Sequence, residues 1–306
     1  MPLTLTLVHA PIGGAAARLP EVAHAVEGAA RGALEDGLLA DAHASAGAGM
    51  LSLVLLHEAG EGDPEVHRAA WNALDAGASV AKAFGVPGLG HGLPVDAIAG
   101  SLRGTGISYA ELVLTERPAG PVVAVLATGA QLGTLNLPLA RAFVDPFTTP
   151  RLLDRLRRGF MFEVHDLDEP RKRMFMAPAE LYELLSCLAL DDRFALKSIV
   201  TPEGAPAAVV SSARRADVLG PDAQDDAPVA LVRTGDDAPE LEELLGAFGA
   251  SGTPGGGGVA IRGLAFHVGR SRLLDPVPVL DLVGSGGRGR PRRPEAPPDT
   301  GSWSER

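Results

Sequence analysis

The order of the predicted strands and helices is the feature that most limits how this chain can fold. Strands are predicted as neighbours along the sequence, with helices between one pair and the next. Close neighbours pair antiparallel, whereas a doubly wound parallel sheet needs a helix after each strand. The pattern therefore predicts an α+β fold with largely antiparallel sheets. The predicted pairs are residues 111–116 with 121–127, 160–166 with 173–176, and 194–201 with 207–212.

The N-terminal part of the chain is predicted to hold two strands and a helix. Polar and apolar residues alternate over Thr4–Val8, which is typical of a strand, and apolar positions at helical spacing predict a helix over residues 21–38. The apolar run at residues 50–56 predicts a buried strand with His57 at its end.

Asp63 and Pro64 mark the start of the next helix, which is predicted to reach Phe84. Asp caps free backbone N–H groups, and Pro at the first helical position has no N–H to leave unpaired. Towards the other end of the chain the pattern predicts a helix at residues 178–188, a strand at 229–233, a helix at 239–248 and a strand at 263–268.

Composition predicts one large folded domain with a poorly structured tail. The chain has 306 residues, 46% of them hydrophobic, with a mean hydropathy of +0.13, so it can bury a substantial core. We predict a single domain over residues 1–283. Residues 284–306 consist mainly of Gly, Pro, Arg and Ser, with little to bury, and are predicted to be disordered.

Net charge and cysteine usage limit the possible partners and the compartment. A formal net charge of −11 argues against binding to nucleic acid or to anionic membranes. Cys187 is the only cysteine, so no disulfide can form within the chain, and a reducing cytoplasm is expected. The sequence shows no signal peptide and no apolar run long enough to span a membrane.

Seven segments in the middle of the chain carry a family resemblance. They are Val66–Ala73, Gly90–Leu93, Leu102–Gly106, Asn136–Leu139, Asp145–Phe147, Gly159–Val164 and Ala177–Tyr182. Together they resemble the bifunctional fructose-1,6-bisphosphate aldolase/phosphatase family. The resemblance covers roughly residues 1–283. It implies a layered α-β-β-α sandwich, magnesium as cofactor, a lysine that forms a Schiff base with a ketone, a sugar phosphate or other small molecule as ligand, and a homo-oligomer.

The acidic metal ligands that the resemblance implies are mostly replaced in this chain. The family's first strand runs into Asp-Ile-Gly, where this chain has Pro11-Ile-Gly. The family's Gly-Asp-Asp run falls on Ala48-Gly49-Met50, and a third acidic segment falls on Thr128–Gln131. Magnesium prefers hard oxygen ligands, most of all carboxylates, so these replacements predict weak or absent magnesium binding.

The Schiff-base lysine implied by the resemblance is also replaced. Its position falls on Asp225, and an aspartate cannot form an imine. Five aspartates lie near this point: Asp222, Asp225, Asp226, Asp236 and Asp237. They are read either as a solvated acidic loop or as a remnant metal site in which Asp226 matches a family carboxylate.

Three residues remain as candidates for binding an anionic substrate. His91 replaces a family glutamine near the metal site, Arg103 lies in the matched Arg-Gly-x-Gly stretch, and Arg262 lies near the closing strand. An arginine guanidinium suits phosphate. His91 could also ligate a softer metal such as zinc, although a lone histidine is more often structural, and Arg103 could equally belong to a structural turn. The glycine-rich run at 252–258 lacks the helix and lysine of a phosphate-binding loop.

Three functional hypotheses follow from this pattern of loss. The chain is a non-catalytic member of the family, an enzyme repurposed for a less charged substrate, or a magnesium-dependent fructose-1,6-bisphosphatase with a rearranged site. A doubly phosphorylated sugar with its metal ions needs several carboxylates and cations, and most are missing at the matching positions. The first two hypotheses are therefore favoured over the third.

Overall fold

The fold is described from a computed structural model of the whole chain. The residues it describes are 2–11, 20–47, 50–84, 107–150, 152, 159–169, 171–211, 227–251 and 259–283. The chain forms two compact units. Unit 1 comprises Met1–Val113, Ala213–Gln224 and Ser271–Leu273, and unit 2 comprises Leu114–Ser212, Asp225–Arg270 and Leu274–Arg306.

Unit 1 contains a four-stranded sheet, here called sheet A. Its strands are β1 (Leu3–Pro11), β2 (Asp41–Gly47), β3 (Met50–His57) and β4 (Ser108–Leu114), in the spatial order β2-β3-β1-β4. Strands β1 and β3 are antiparallel over their whole length. Residues 3–10 and 51–57 of these strands are almost completely buried. Most are apolar, and the buried polar exceptions are Thr4, Thr6, His9, Ser52 and His57.

Two helices pack on one face of sheet A: α1 (Pro20–Glu35) and α2 (Pro64–Ala83). Helix α2 begins as predicted, since the Asp63 carboxylate accepts hydrogen bonds from the backbone N–H groups of Glu65 and Val66. Gly77 lets the two helices approach closely, because a Cβ at this position would lie 2.6 Å from Cγ2 of Val26.

Unit 2 contains an eight-stranded sheet, here called sheet B, with spatial order β12-β11-β5-β10-β9-β8-β6-β7. Its recorded pairings are antiparallel. Three helices accompany it: α3 (Asn136–Val144), α4 (Leu181–Leu188) and α5 (Leu241–Ser251). The strands are β5 (Val122–Thr128), β6 (Phe160–Asp166), β7 (Arg171–Ala177), β8 (Phe194–Val200), β9 (Pro206–Val210), β10 (Val229–Arg233), β11 (Ala260–Val268) and β12 (Leu273–Val283).

The structure confirms the α+β class with largely antiparallel sheets, and two of the three predicted strand pairs. Strands β6 and β7 pair directly, and β8 pairs with β9 across a turn in which Gly204 has φ +89°. No helix in the described part of the chain is both long and apolar enough to cross a membrane. The single domain over residues 1–283 stays a prediction, and the tail at 284–306 lies outside the described residues.

The predicted pairing of residues 111–116 with 121–127 is wrong. These residues form β4 and β5, which belong to different sheets. The connection between them binds to the end of β10: Gly120 N–H donates to Thr234 O, and Thr234 Oγ1 donates to Pro121 O. Strand β5 is buried on both faces and takes β10 and β11 as its neighbours instead.

Candidate functional site

Two of the positions where the resemblance implies carboxylates are neighbours in sheet A. Pro11, the last residue of β1, is the cross-strand partner of Met50, the first residue of β3. They are separated by 39 positions in sequence, yet eight consecutive residue pairs fix them side by side. Neither residue offers an oxygen ligand from its side chain. This end of sheet A is therefore the candidate site of unit 1.

The carboxylates that sheet A does contain lie at its opposite end. On its four strands these are Asp41 and Glu111. Asp41 is the cross-strand partner of Leu56, and Glu111 accepts a hydrogen bond from Thr6, which is about 16 Å of extended strand from Pro11. Since the register is fixed, neither carboxylate can serve a metal ion near Pro11 and Met50.

Three strand ends of sheet B form the candidate site of unit 2. Strand β5 ends at Thr128, which is the cross-strand partner of Ala260 at the start of β11. Strand β10 begins at Val229, the partner of Leu126, and Ala127 N–H donates to the Pro228 carbonyl. The structure thus brings together Thr128, Pro228 and Ala260, which are described residues that lie in or adjoin the third acidic segment, the segment of the Schiff-base lysine and the glycine-rich segment in the sequence.

The described side chains at this end of sheet B are mostly uncharged. Strands β5, β10 and β11 contain no Asp or Glu. Gln131 is exposed and offers an amide oxygen, while Ala130 and Ala227 are buried. Arg262 Nε lies 3.4 Å from Oδ1 of Asp281, so this candidate anion contact already has an acidic neighbour.

Two candidates for substrate binding, His91 and Arg103, and the candidate metal ligand Asp226 lie outside the described residues. The structure does divide the aspartate cluster to which Asp226 belongs. Asp236 and Asp237 are exposed in the turn after β10, whereas residues 222–226 precede that strand. The five residues of β10 extend about 16 Å. The two aspartates after β10 are therefore a solvated turn.

Magnesium does not fit the described residues of either candidate site. No three His, Cys, Asp or Glu side chains within the described ranges lie close enough together to hold a metal ion. In the sequence, Pro, Met, Thr, Gln and Ala stand at these strand ends in place of the carboxylates that the resemblance implies. A single amide oxygen such as that of Gln131 supplies one neutral ligand, and Mg²⁺ requires several hard oxygen ligands in octahedral geometry.

Unit 1 contains a buried network of hydrogen-bonded polar and ionisable side chains. The carboxylate of Glu111 on β4 accepts hydrogen bonds from Thr6 Oγ1 at 3.0 Å, from Gly62 N–H at 3.0 Å and from His67 Nε2 at 3.1 Å. Thr6 Oγ1 also lies 2.9 Å from His57 Nε2. Thr6, His57, His67 and Glu111 are all at most 7% exposed.

The network fixes the tautomer of His57. Thr6 has one hydroxyl proton, which goes to the Glu111 carboxylate, because an ionised carboxylate only accepts. Thr6 Oγ1 must then accept from His57, so the His57 proton sits on Nε2. His57 Nδ1 is buried and has no hydrogen-bond partner. His57 is therefore neutral in the folded protein.

Electrostatics in the network agree with this assignment. Burial lowers the pKa of His57 below its ordinary value, because desolvation disfavours the charged ring more than Glu111 and Asp63 favour it. Burial alone would raise the pKa of Glu111, but the hydrogen bonds from His67, Thr6 and Gly62 outweigh it and hold that pKa below its ordinary value. Glu111 is therefore ionised at neutral pH.

The network joins elements of unit 1 and is remote from the candidate site of that unit. It connects β1, the end of β3, the start of α2 and β4. Sequence analysis places His57 at the end of a strand and His67 in a segment that resembles the family, but it misses Glu111. Its partners Thr6 and Gly62 lie 105 and 49 positions away, so no local pattern marks it. We assign the network a structural role.

Comparison with known proteins agrees with the resemblance. A family model described as fructose-1,6-bisphosphatase matches residues 2–264. The chain is 32% identical to the fructose-1,6-bisphosphate aldolase/phosphatase of Sulfurisphaera tokodaii over 92% of this chain and 81% of that protein. Identity to the Ignicoccus hospitalis protein of the same name is 34%, over 80% of this chain and 65% of the relative.

A relative from Thermus thermophilus, also named fructose-1,6-bisphosphate aldolase/phosphatase, is 40% identical over 63% of this chain and 54% of the relative. The chain thus spans four fifths of one relative but less than two thirds of the other two.

Proposed function

The chain belongs to the fructose-1,6-bisphosphatase family, with fructose-1,6-bisphosphate aldolase/phosphatases as its relatives, and we propose that it keeps their scaffold without their magnesium-dependent phosphatase or Schiff-base aldolase chemistry. It serves either as a non-catalytic binding protein or as an enzyme for a less charged small molecule. The cross-strand pairing of Pro11 with Met50 is the observation that carries this proposal.

Electrostatics support the loss of phosphatase activity. Hydrolysis of a sugar bisphosphate with a bound metal needs anionic side chains that hold the ion and an activated water. At the strand ends where the resemblance implies those side chains, the described residues are neutral. Carboxylates in segments outside the described residues, including Asp222, Asp225 and Asp226, would have to supply the whole ligand set.

The positions of the three lysines support the loss of aldolase activity. Lys82 lies at the end of α2, and Lys172 Nζ is 2.9 Å from Oε1 of Glu163 at the edge of sheet B. Lys197 Nζ donates to the Val210 carbonyl at 3.2 Å, and Val210 is the cross-strand partner of Ala230 in β10. Lys197 is the lysine closest in sequence to the aldolase segment, but an ammonium held by a carbonyl is not the free amine that attacks a ketone.

Phosphate release is the test of the phosphatase half of the proposal. The purified full chain is incubated with fructose-1,6-bisphosphate and Mg²⁺, and the Thermus thermophilus relative is assayed in parallel as the positive control. We expect phosphate release no faster than in a protein-free blank. Turnover that a chelator abolishes would overturn the proposal, and loss of that turnover in Asp226→Ala would locate the replacement site.

Imine trapping is the test of the aldolase half. The chain is treated with dihydroxyacetone phosphate and borohydride, and its mass is then measured by mass spectrometry. Borohydride reduces an imine to a stable secondary amine. We expect no adduct on this chain and a single adduct on the relative. An adduct on this chain that disappears in Lys197→Met would show that Lys197 has replaced the missing lysine.

A further inference from the structure

The segment between β3 and α2, residues 58–63, borders the buried network of unit 1. Glu58, Ala59 and Glu61 are exposed, and Gly60 and Gly62 have φ of +91° and +76°. Gly62 N–H donates to Oε2 of Glu111. We call residues 58–63 the latch. It follows His57 directly in the chain, and Asp63 at its end interacts electrostatically with the His57 ring, so we expect opening of the latch to expose His57 before any strand of sheet A separates.

Geometry allows His57 only one charge state while the latch is closed. A second proton would sit on Nδ1, which is buried and faces no hydrogen-bond acceptor. An uncompensated buried N–H on a charged ring is strongly unfavourable. A proton therefore binds His57 only after the ring reaches water, and each open molecule that takes up a proton is prevented from closing.

The geometry points to the latch as an acid-sensitive element: we propose that residues 58–63 open as the pH falls below neutrality, because the open form alone can protonate His57. Three ionisable groups face His57 from the surrounding elements: Glu111 on β4, Asp63 at the start of α2 and His67 on α2. The two carboxylates favour the charged ring, and His67 opposes it. Their joint effect is smaller than that of burial, so His57 has a pKa below its ordinary value.

Hydrogen exchange of backbone amides, measured by mass spectrometry, tests the proposal on the full chain. Rates are corrected for the intrinsic pH dependence of exchange. For peptides covering residues 58–66 we expect protection to fall about tenfold between pH 7.5 and pH 5.5, since one proton binds only the open form and histidine has an ordinary pKa of about 6.5. Peptides covering β1 should keep their protection.

Two histidine variants provide the matched comparison. His57→Gln places an amide N–H near Thr6 but cannot titrate in this range, so its protection over residues 58–66 should not change with pH. His24→Gln, at an exposed position on α1, should behave like the unmodified chain. Equal pH dependence in His57→Gln and the unmodified chain would overturn the proposal. So would an equal loss of protection in β1, because that is unfolding of the whole unit.

Histidine NMR gives an independent readout if His57→Gln does not fold. In the ¹⁵N-histidine-labelled chain at pH 6.5, one ring buried from solvent should show a protonated Nε2 and an unprotonated Nδ1. If all eight histidines titrate with ordinary pKa values while the chain stays folded, the latch mechanism is wrong.

Discussion

Thr4 and Thr6 are two buried hydroxyls with opposite environments. They lie on the same face of β1, and each is 0% exposed. Thr6 Oγ1 bonds both Glu111 and His57, whereas Thr4 Oγ1 has no hydrogen-bond partner. Burial of a hydroxyl is unfavourable unless hydrogen bonds compensate it. Comparing the two positions therefore separates what the hydrogen bonds of the network contribute to stability from what packing contributes at this strand.

Replacing each threonine by valine tests that separation. Thr6→Val leaves His57 Nε2–H and part of the Glu111 carboxylate unpaired, so we expect a loss of about 2–3 kcal/mol in the free energy of unfolding. Thr4→Val removes an unpaired hydroxyl and should change that free energy by no more than about 0.5 kcal/mol, or raise it. Urea unfolding at pH 7.5 measures both, and similar losses in the two variants would contradict a network centred on Glu111.

Glu111 should make stability depend on pH in the acidic range. Its pKa in the folded chain is below its ordinary value of 4.5, so its contribution is present above pH 4.5 and is lost as the pH falls through the folded pKa. Glu111→Gln should cost about 3 kcal/mol at pH 7. The difference between the unmodified chain and the variant should shrink at pH 3.5. Glu35→Gln, on the exposed face of α1, is the control, and a difference that stays constant with pH would count against an ionised Glu111.

Close packing between elements depends on glycines that differ in their surroundings. Gly77 on α2 meets α1, whereas a Cβ added at Gly28 on α1 would meet nothing within 4 Å. Alanine is a better helix former than glycine, by about 0.8–1 kcal/mol. The helix preference is the same at both positions, but only Gly77 has a neighbour in the way.

Alanine substitutions at these two glycines should therefore change the free energy of unfolding in opposite directions. Gly28→Ala should raise the free energy of unfolding by about 0.5–1 kcal/mol. Gly77→Ala must displace Val26, and we expect a net loss of about 1–2 kcal/mol. Thermal unfolding followed by circular dichroism measures both changes. Stabilisation by Gly77→Ala would show that α1 and α2 are not packed as described.

Gly159 and Gly204 provide a second matched pair, in sheet B. Their φ angles are +73° and +89°, so alanine is strained at both. A Cβ at Gly159 would also collide with the Ala177 carbonyl oxygen, while one at Gly204 meets open space. Gly204→Ala should cost about 1–2 kcal/mol, and Gly159→Ala should cost at least about 2 kcal/mol more. Equal costs in urea unfolding would place Gly159 away from β7.

Sequence patterns predict the elements that have strong local signals and miss those that depend on distant partners. The cap at Asp63 and the antiparallel pair of β8 and β9 follow from local chemistry. Strand β2 is rich in Ala and Ser and lacks β-branched residues, so it has little strand preference of its own. It forms because β3 offers a free edge, with Asp41 to Gly47 pairing Leu56 to Met50.

At the scale of the whole molecule, the sequence predicts the family and the substitutions but not which of the substituted positions are neighbours in a sheet. The pairing of Pro11 with Met50, and of Thr128 with Ala260, depends on sheet register between distant segments. Register shows that the replaced positions Pro11 and Met50 lie side by side, so the loss in sheet A is concentrated at one end. Homo-oligomer formation and the identity of any ligand stay predictions from the resemblance.

Titration calorimetry with Mg²⁺ is the most direct measurement of the central claim, which is that the strand ends no longer carry the charge to hold this ion. The full chain and the Thermus thermophilus relative are titrated under the same conditions, with and without fructose-1,6-bisphosphate. We predict saturable binding to the relative and none to this chain at Mg²⁺ concentrations up to about 1 mM, equivalent to a binding free energy weaker than about −4 kcal/mol. Stoichiometric binding to this chain in that range would contradict the claim.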